Sequence, residues 1–248
     1  MSADGFDVRT LAATFYAGTT LGGHAHDWGQ LVFAASGVMR VTTDEAAWTI
    51  PPTRAIWLPA GVRHAIAIQG EVAMRTLYID TPRSDPLPRA PRALEVAPLL
   101  RELILHILSI GMLAPDRPPH DRLAGLLVDL LLDARAEDLS LPLPRDPRAL
   151  RAAQVWRRDP ADARPLAEIA REAGASLRTL QRLFPAETGL SLEAWRQKAR
   201  LIHAVTRLAA GANVTETALD CGYQSLAAFG EAFTRRFGIS PARFAGRR

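Results

Sequence analysis

The sequence predicts an α+β chain of two domains. A β-sandwich or small β-barrel comes first, and an all-α domain with two helix-turn-helix units follows. Three observations predict this. Residues 7–80 break into short apolar runs divided by turn residues. From residue 94 onward, apolar residues recur at helical spacing. Near the C-terminus, one segment recurs 48 to 49 residues later.

The runs Gln30–Ala35, Val38–Thr42, Ala46–Ile50, Ala55–Leu58, Ala65–Ile68 and Ala73–Ile79 read as strands. Ser-Gly, Asp-Glu, Pro-Pro and Pro-Ala-Gly breaks separate them, as in a sandwich or small barrel. Residues 81–91 read as a loop, being too rich in proline for regular structure. Leu94–Ile110 reads as a strongly apolar helix stopped at Gly111. Asp121–Ala136 reads as a second, with Leu123, Leu126, Leu127, Leu130 and Leu131 at helical spacing. These stripes either pack on the β-domain or form a two-helix homodimer seam, and separate faces can do each. Residues 139–147 form a proline-stiffened linker. Pro147–Arg158 and Leu192–Ala210 read as helices, the latter bridging the repeats. The domain bounds are then 7–80, 94–138 and 147–248.

In the first repeat, Leu166–Ala170 leads to Gly174, Ser176, Leu180, Phe184 and Gly189. In the second, Glu216–Ala218 leads to Gly222, Ser225, Phe229, Phe233 and Gly238. Gly174 and Gly222 suit a tight turn between two helices. Ser176 and Ser225 suit the N-cap of the second helix. Leu180, Phe184, Phe229 and Phe233 lie four apart in pairs and face a core. The outward face of that second helix carries Arg178, Gln181 and Arg182 in the first copy. Arg pairs bidentately with guanine and Gln with adenine. The second copy offers Leu226, Ala227, Ala228, Gly230 and Glu231, with Arg235 and Arg236 at its far end. The first unit is therefore expected to supply most base readout, and the second mainly phosphate contacts and shape constraint.

Over residues 147–248 this pattern resembles the AraC family of bacterial transcription regulators. The most specific parts are Gly174-Ala-Ser-Leu-Arg-Thr-Leu-Gln-Arg-Leu-Phe184 and Gly222-Tyr-Gln-Ser225, followed by Phe229, Phe233, Gly238 and Ser240-Pro241. The resemblance implies a double-stranded DNA operator as partner. It places the base-facing positions on Arg178, Gln181 and Arg182, then on Leu226, Ala227, Ala228, Gly230 and Glu231. A small-molecule or metal effector, a homodimeric state and RNA polymerase complete the expected partners.

The first domain holds His24-Ala-His26, Gln30 and Gly37, then Pro59-Ala-Gly61-Val-Arg-His64. In a strand, His24 and His26 would share a face. An imidazole from a neighbouring strand would complete a triad suited to nickel, zinc, copper or iron. Gln30 would add a weak fourth oxygen ligand. Over residues 20–80 this arrangement is similar to the cupins, small jelly-roll barrels. Gln30 stands where that family has glutamate, and Ile68 where an asparagine is common. The cluster is therefore open to three readings: a metal site, a His-lined pocket for an organic effector with Trp28, Trp48 and Trp57, or a structural polar cluster. His106, His120 and His203 are isolated.

Charge separates the two parts. Residues 150–248 hold sixteen Lys/Arg and nine Asp/Glu, and residues 1–149 hold fourteen and seventeen. A basic C-terminal part suits a nucleic-acid reader. No apolar run reaches the roughly 18–20 residues of a membrane span, and a cytoplasmic location is expected. Cys221 is the single cysteine and reads as a small buried hydrophobe. The competing function is a cupin-type metal-dependent enzyme, an oxygenase or isomerase, with a helical appendage. That reading leaves the duplicated unit unexplained.

Overall fold

The computed structural model describes residues 5–52, 54–136 and 139–246. Residues 137–138 and 247–248, at the ends of two predicted domains, lie outside the described residues. The chain divides into two compact units. One comprises Met1–Thr43 and Trp48–Leu139, the other Asp44–Ala47 and Ser140–Arg248.

The first unit is sheet-rich and antiparallel, as expected. Its strands are β1 (Val8–Phe15), β2 (Thr20–His24), β3 (Gly29–Thr43), β4 (Ala46–Ile50), β5 (Arg54–Leu58), β6 (His64–Ile79) and β7 (Arg92–Glu95). β3 and β6 pair antiparallel from Gly29↔Ile79 to Thr43↔His64. Each serves two further neighbours. β6 pairs with β1 through Val72–Ile79 and with β2 through His64–Ala67. β3 pairs with β5 through Gln30–Phe33, and also with β4.

The structure corrects the expected strands at one point. Gln30–Ala35 and Val38–Thr42 are one strand, and Ala65–Ile68 and Ala73–Ile79 are another. Ser36-Gly37 makes a bulge rather than a turn, and the pairing register shifts on both sides of Ser36. Gly37 has φ of 80°, and a Cβ there would lie 2.0 Å from the Glu71 carbonyl oxygen. Only glycine fits.

Helix starts are corrected too, and proline explains each. Residues 92–95 are strand β7, paired to β5, and the helix α2 runs Pro98–Ile110. Pro98 is tolerated in the first turn and not in the interior. Likewise α3 is Pro118–Asp133, beginning and ending three residues before the predicted bounds. Within the expected loop, α1 (Thr81–Ser84) forms one turn with Asp80 as its N-cap. The expected linker contains a short strand, β8 (Ser140–Pro142).

The α2 and α3 stripes do pack on the sheet. Leu100, Leu103, Ile104 and Ile107 from α2 and Leu127, Val128 and Leu131 from α3 bury with Val8, Leu31, Phe33, Trp57 and Leu77. Leu99, Ile110, Leu126 and Leu132 stay exposed.

From Ser140 onward the second unit is helical apart from β8. It comprises α4 (Pro147–Arg158), α5 (Leu166–Glu172), α6 (Leu177–Thr188), α7 (Leu192–Ala209), α8 (Val214–Asp220), α9 (Leu226–Phe237) and α10 (Pro241–Ala245). Phe184 packs edge to face against Trp156 and Trp195, which tilt against each other, in a core shared by α4 to α7. Phe229 and Phe233 make the second aromatic group, with Tyr223, Phe237 and Phe244. Cys221 is fully buried, and burial pushes its thiol pKa up to about 12.

Candidate functional site

Three imidazoles converge in the first unit. His24 ends β2 and faces His64, the first residue of β6, across the sheet. His26 lies past the end of β2, so the two neighbouring histidines do not share a strand face as expected. A turn does that work instead: the Gly61 N–H donates to the His26 carbonyl at 2.9 Å. One ring nitrogen from each of His24, His26 and His64 lies within 4.8 Å of the others. His106, His120 and His203 join no such group among the described residues.

Hydrogen bonds fix the tautomers. Each ring uses Nδ1–H to reach a main-chain carbonyl: His24 to Gly22 at 2.8 Å, His26 to Trp28 at 2.7 Å, His64 to Val62 at 2.9 Å. In the neutral ring the Nε2 lone pair is then free. Backbone acceptors of this kind orient metal-binding histidines. His64 is 1% exposed, and its Nε2 has no hydrogen-bond partner among the described residues. Burial, followed by the charges of His24 and His26, lowers the His64 pKa against an opposing effect of the Val62 hydrogen bond.

Gln30 is held by a buried polar line. Its amide nitrogen donates to Thr76 Oγ1 at 3.0 Å, and that hydroxyl donates to the Leu31 carbonyl at 3.0 Å. Gln30 therefore turns Oε1 toward His26 Nε2, 3.1 Å away. With Nδ1–H committed to Trp28, His26 Nε2 meets Oε1 through a second ring proton or a shared cation. Tyr78 stands edge-on to His26 at 5.2 Å between ring centres, and burial raises its pKa. Neither Thr76 nor Tyr78 was marked by the sequence. Strand register brings them there, since Gln30 pairs with Tyr78 and Val32 with Thr76.

Trp57 does not face this cluster. Trp57 pairs with Leu31 while Gln30 pairs with Leu58, so Trp57 stands on the opposite face of the sheet. Its ring belongs to the core under α2 and α3, and its Nε1 donates to the Pro88 carbonyl at 2.8 Å. Trp48 is buried in β4. Trp28 contributes its carbonyl to His26, while its ring lies 4.2 Å from the Arg9 guanidinium.

In the second unit the two repeats have matching turns. The Ala175 N–H donates to the Ala170 carbonyl and the Gly174 N–H to that of Arg171. Tyr223 to Ala218 and Gly222 to Leu219 repeat this 48 residues later. Gly174 and Gly222 have φ of 77° and 73°. Ser176 and Ser225 cap α6 and α9, accepting from the Thr179 and Ala228 N–H groups.

On α6, Arg178, Gln181 and Arg182 are all exposed, and Leu180, Leu183 and Phe184 are buried behind them. No hydrogen bond or ion pair among the described residues occupies that trio. On α9 the outward stripe is Leu226, Ala227, Gly230, Glu231, Thr234 and Arg235, which line one shallow hollow. Thr234 is the member that sequence reading missed. Ala228 is exposed and lies seven residues, about 20° round the helix, from Arg235, outside the hollow. Arg236 is half-buried.

Residues 7–142 match the AraC-like ligand binding domain family, and residues 169–247 match a helix-turn-helix domain family. The chain belongs to the AraC family. NimR of Escherichia coli (strain K12), an HTH-type transcriptional regulator, is 32% identical over 240 residues, covering 96% of this chain and 88% of that protein. RipA of Corynebacterium glutamicum, also an HTH-type transcriptional regulator, is 38% identical over 104 residues, covering 42% of this chain and 31% of that protein. Among solved structures, fatty-acid-bound ToxT from Vibrio cholerae aligns with 96% of this chain and 94% of its own, at 10% identity and TM-score 0.41. This AraC-family chain is a DNA-binding transcription regulator with an N-terminal ligand-binding domain. Among its described residues, no helix is long and apolar enough to cross a membrane.

Proposed function

We propose that this regulator controls transcription in the cytoplasm through an effector held at His24, His26 and His64. A divalent transition metal, nickel, zinc or iron, is the ligand these donors fit, with Gln30 Oε1 as a fourth donor. The buried His64 Nε2, left without a partner, carries this reading. A lone pair buried at 1% exposure is costly unless something fills it. Zinc-type metals accept neutral imidazole nitrogen, and backbone-tethered Nδ1 atoms leave Nε2 for the metal. When bound, the metal supplies a Lewis-acid centre to which a small effector can add a donor atom.

On this reading residues 7–80 are a cupin-type sensing barrel, 94–138 a coupling and dimerisation region, and 147–248 the DNA-binding domain. Leu99, Ile110, Leu126 and Leu132, exposed on α2 and α3, supply apolar surface for a homodimer seam. The dimer sets four helix-turn-helix units on paired operator sites, and RNA polymerase is its partner at the promoter. None of these roles requires turnover, and the protein is not an enzyme.

Elemental mass spectrometry of untagged protein tests the site, beside the His26→Ala/His64→Ala double variant. Near-stoichiometric metal that is lost in the variant is the expected result. No metal after loading with nickel, zinc or iron would overturn it and point to an organic effector.

A further inference from the structure

The two recognition helices present opposite chemistry at equivalent positions. With the repeats aligned at an offset of 49, Arg178 corresponds to Ala227, Gln181 to Gly230, Arg182 to Glu231 and Pro185 to Thr234. Side chains that donate to guanine or bond adenine are replaced by a methyl, a hydrogen and a carboxylate. Leu226 differs from its counterpart as well. Leu177 packs against the core of α4 to α7, whereas Leu226 is 50% exposed at the start of α9. In the second unit only Leu219 and Leu226 are exposed large hydrophobic residues among those described.

The geometry points to Leu226 and Glu231 as specificity-determining residues that read a thymine and a cytosine within the second half-site. In the major groove, the thymine C5-methyl is the apolar group a base presents. Leu226 and Ala227, side by side at the end of α9 that enters the groove, can bury such methyls. Gly230 has nothing within 4 Å of where a Cβ would lie, which leaves room for the base edge to approach. Glu231 is exposed and can only accept; cytosine N4 is the donor a carboxylate reads there. It also repels phosphate, so the stripe is tuned to bases at its centre. Arg235, exposed at the far end, supplies the cation for the backbone. The second unit therefore reads bases as well as holding phosphate, through methyl contact rather than arginine forks.

The test begins by selecting duplexes from a random pool with the full chain. Positions that lose preference in the Arg178→Ala/Gln181→Ala/Arg182→Ala variant mark the first half-site, and the remaining preferred positions mark the second. Deoxyuridine then replaces thymine in each half separately, removing the methyl and keeping the hydrogen-bonding edge. The expected result is about fourfold weaker binding per methyl removed in the second half. First-half replacement should leave binding unchanged. Leu226→Ala should bind thymine and deoxyuridine duplexes alike, while Glu231→Gln should relax the selected cytosine. Equal affinity of the wild type for thymine and deoxyuridine duplexes in the second half would overturn the inference. So would a second half without base preference. Failure to select any duplex would instead count against DNA recognition by the chain as a whole.

Discussion

Three imidazoles lie close together in many proteins; here the placement of their protons narrows the chemistry. Every Nδ1 is committed to a carbonyl of the local chain, so each neutral ring offers Nε2. Single substitutions should then be unequal. His64→Ala removes a buried ligand and should abolish metal retention. Gln30→Ala should weaken it about 10–100-fold, as loss of a supporting donor does, measured by competition with a chelator of known affinity. Retention equal to wild type in both would remove the histidine cluster from the account. Cys221 gives an independent check on burial. With its pKa pushed up to about 12 by desolvation, its thiolate is scarce at pH 8. A thiol reagent should leave it unmodified in the native protein and label it promptly in denaturant. Prompt labelling of the native protein would mean the α8–α9 turn opens readily.

The residues of this site were visible in the sequence, since His24, His26, Gln30 and His64 stand in a recognisable spacing. Their supports were not. Thr76 and Tyr78 reach Gln30 and His26 only through the β3–β6 register, a long-range property no local pattern encodes. For the same reason the sequence misplaced Trp57, whose face depends on its pairing with Leu31.

At the level of elements, caps and prolines decided where helices began. Pro98 and Pro118 open α2 and α3, whereas the sequence reading began the first helix at Leu94 and the second only after Pro118-Pro119. The repeat gave more reliable information, because glycine turns and serine caps are local. The bulge at Gly37 is the element most exposed to a single substitution. Gly37→Ala should destabilise the first unit by about 1–3 kcal/mol through backbone strain, with further loss from the clash with Glu71. Denaturant titration measures it, and an unchanged midpoint would show that β3 can straighten there. In the second unit, Ser225→Ala removes the cap of α9 and should cost about 1 kcal/mol. On α6, Arg182→Ala should lose about 1–3 kcal/mol of discrimination at one base pair. Footprinting on mutated duplexes would show it, and a uniform loss across all sequences would recast Arg182 as a phosphate contact.

For the whole molecule, the proposed function links sensing and DNA binding by free energy. An effector changes operator affinity only as far as it binds the DNA-competent arrangement more tightly. A dimer multiplies the number of recognition helices on DNA and raises avidity without new contacts. Sedimentation should therefore show a dimer at micromolar concentration, and substituting Leu99 and Leu126 by lysine should shift it toward monomer. A monomer both free and on DNA would contradict the proposed seam. The basic, helical C-terminal part was legible because its repeat, its caps and its charge are local features of the sequence. The link between sensing and DNA binding is a property of two states, which a sequence pattern does not record.

The most direct measurement is the affinity of the full chain for a selected duplex, with and without bound nickel or zinc, beside the His26→Ala/His64→Ala variant. The account predicts a change of about 5–150-fold on metal binding in the wild type, the usual range of coupling between two sites, and no change in the variant. Equal affinity of metal-loaded and metal-free wild type, or the same response in the variant, would contradict it.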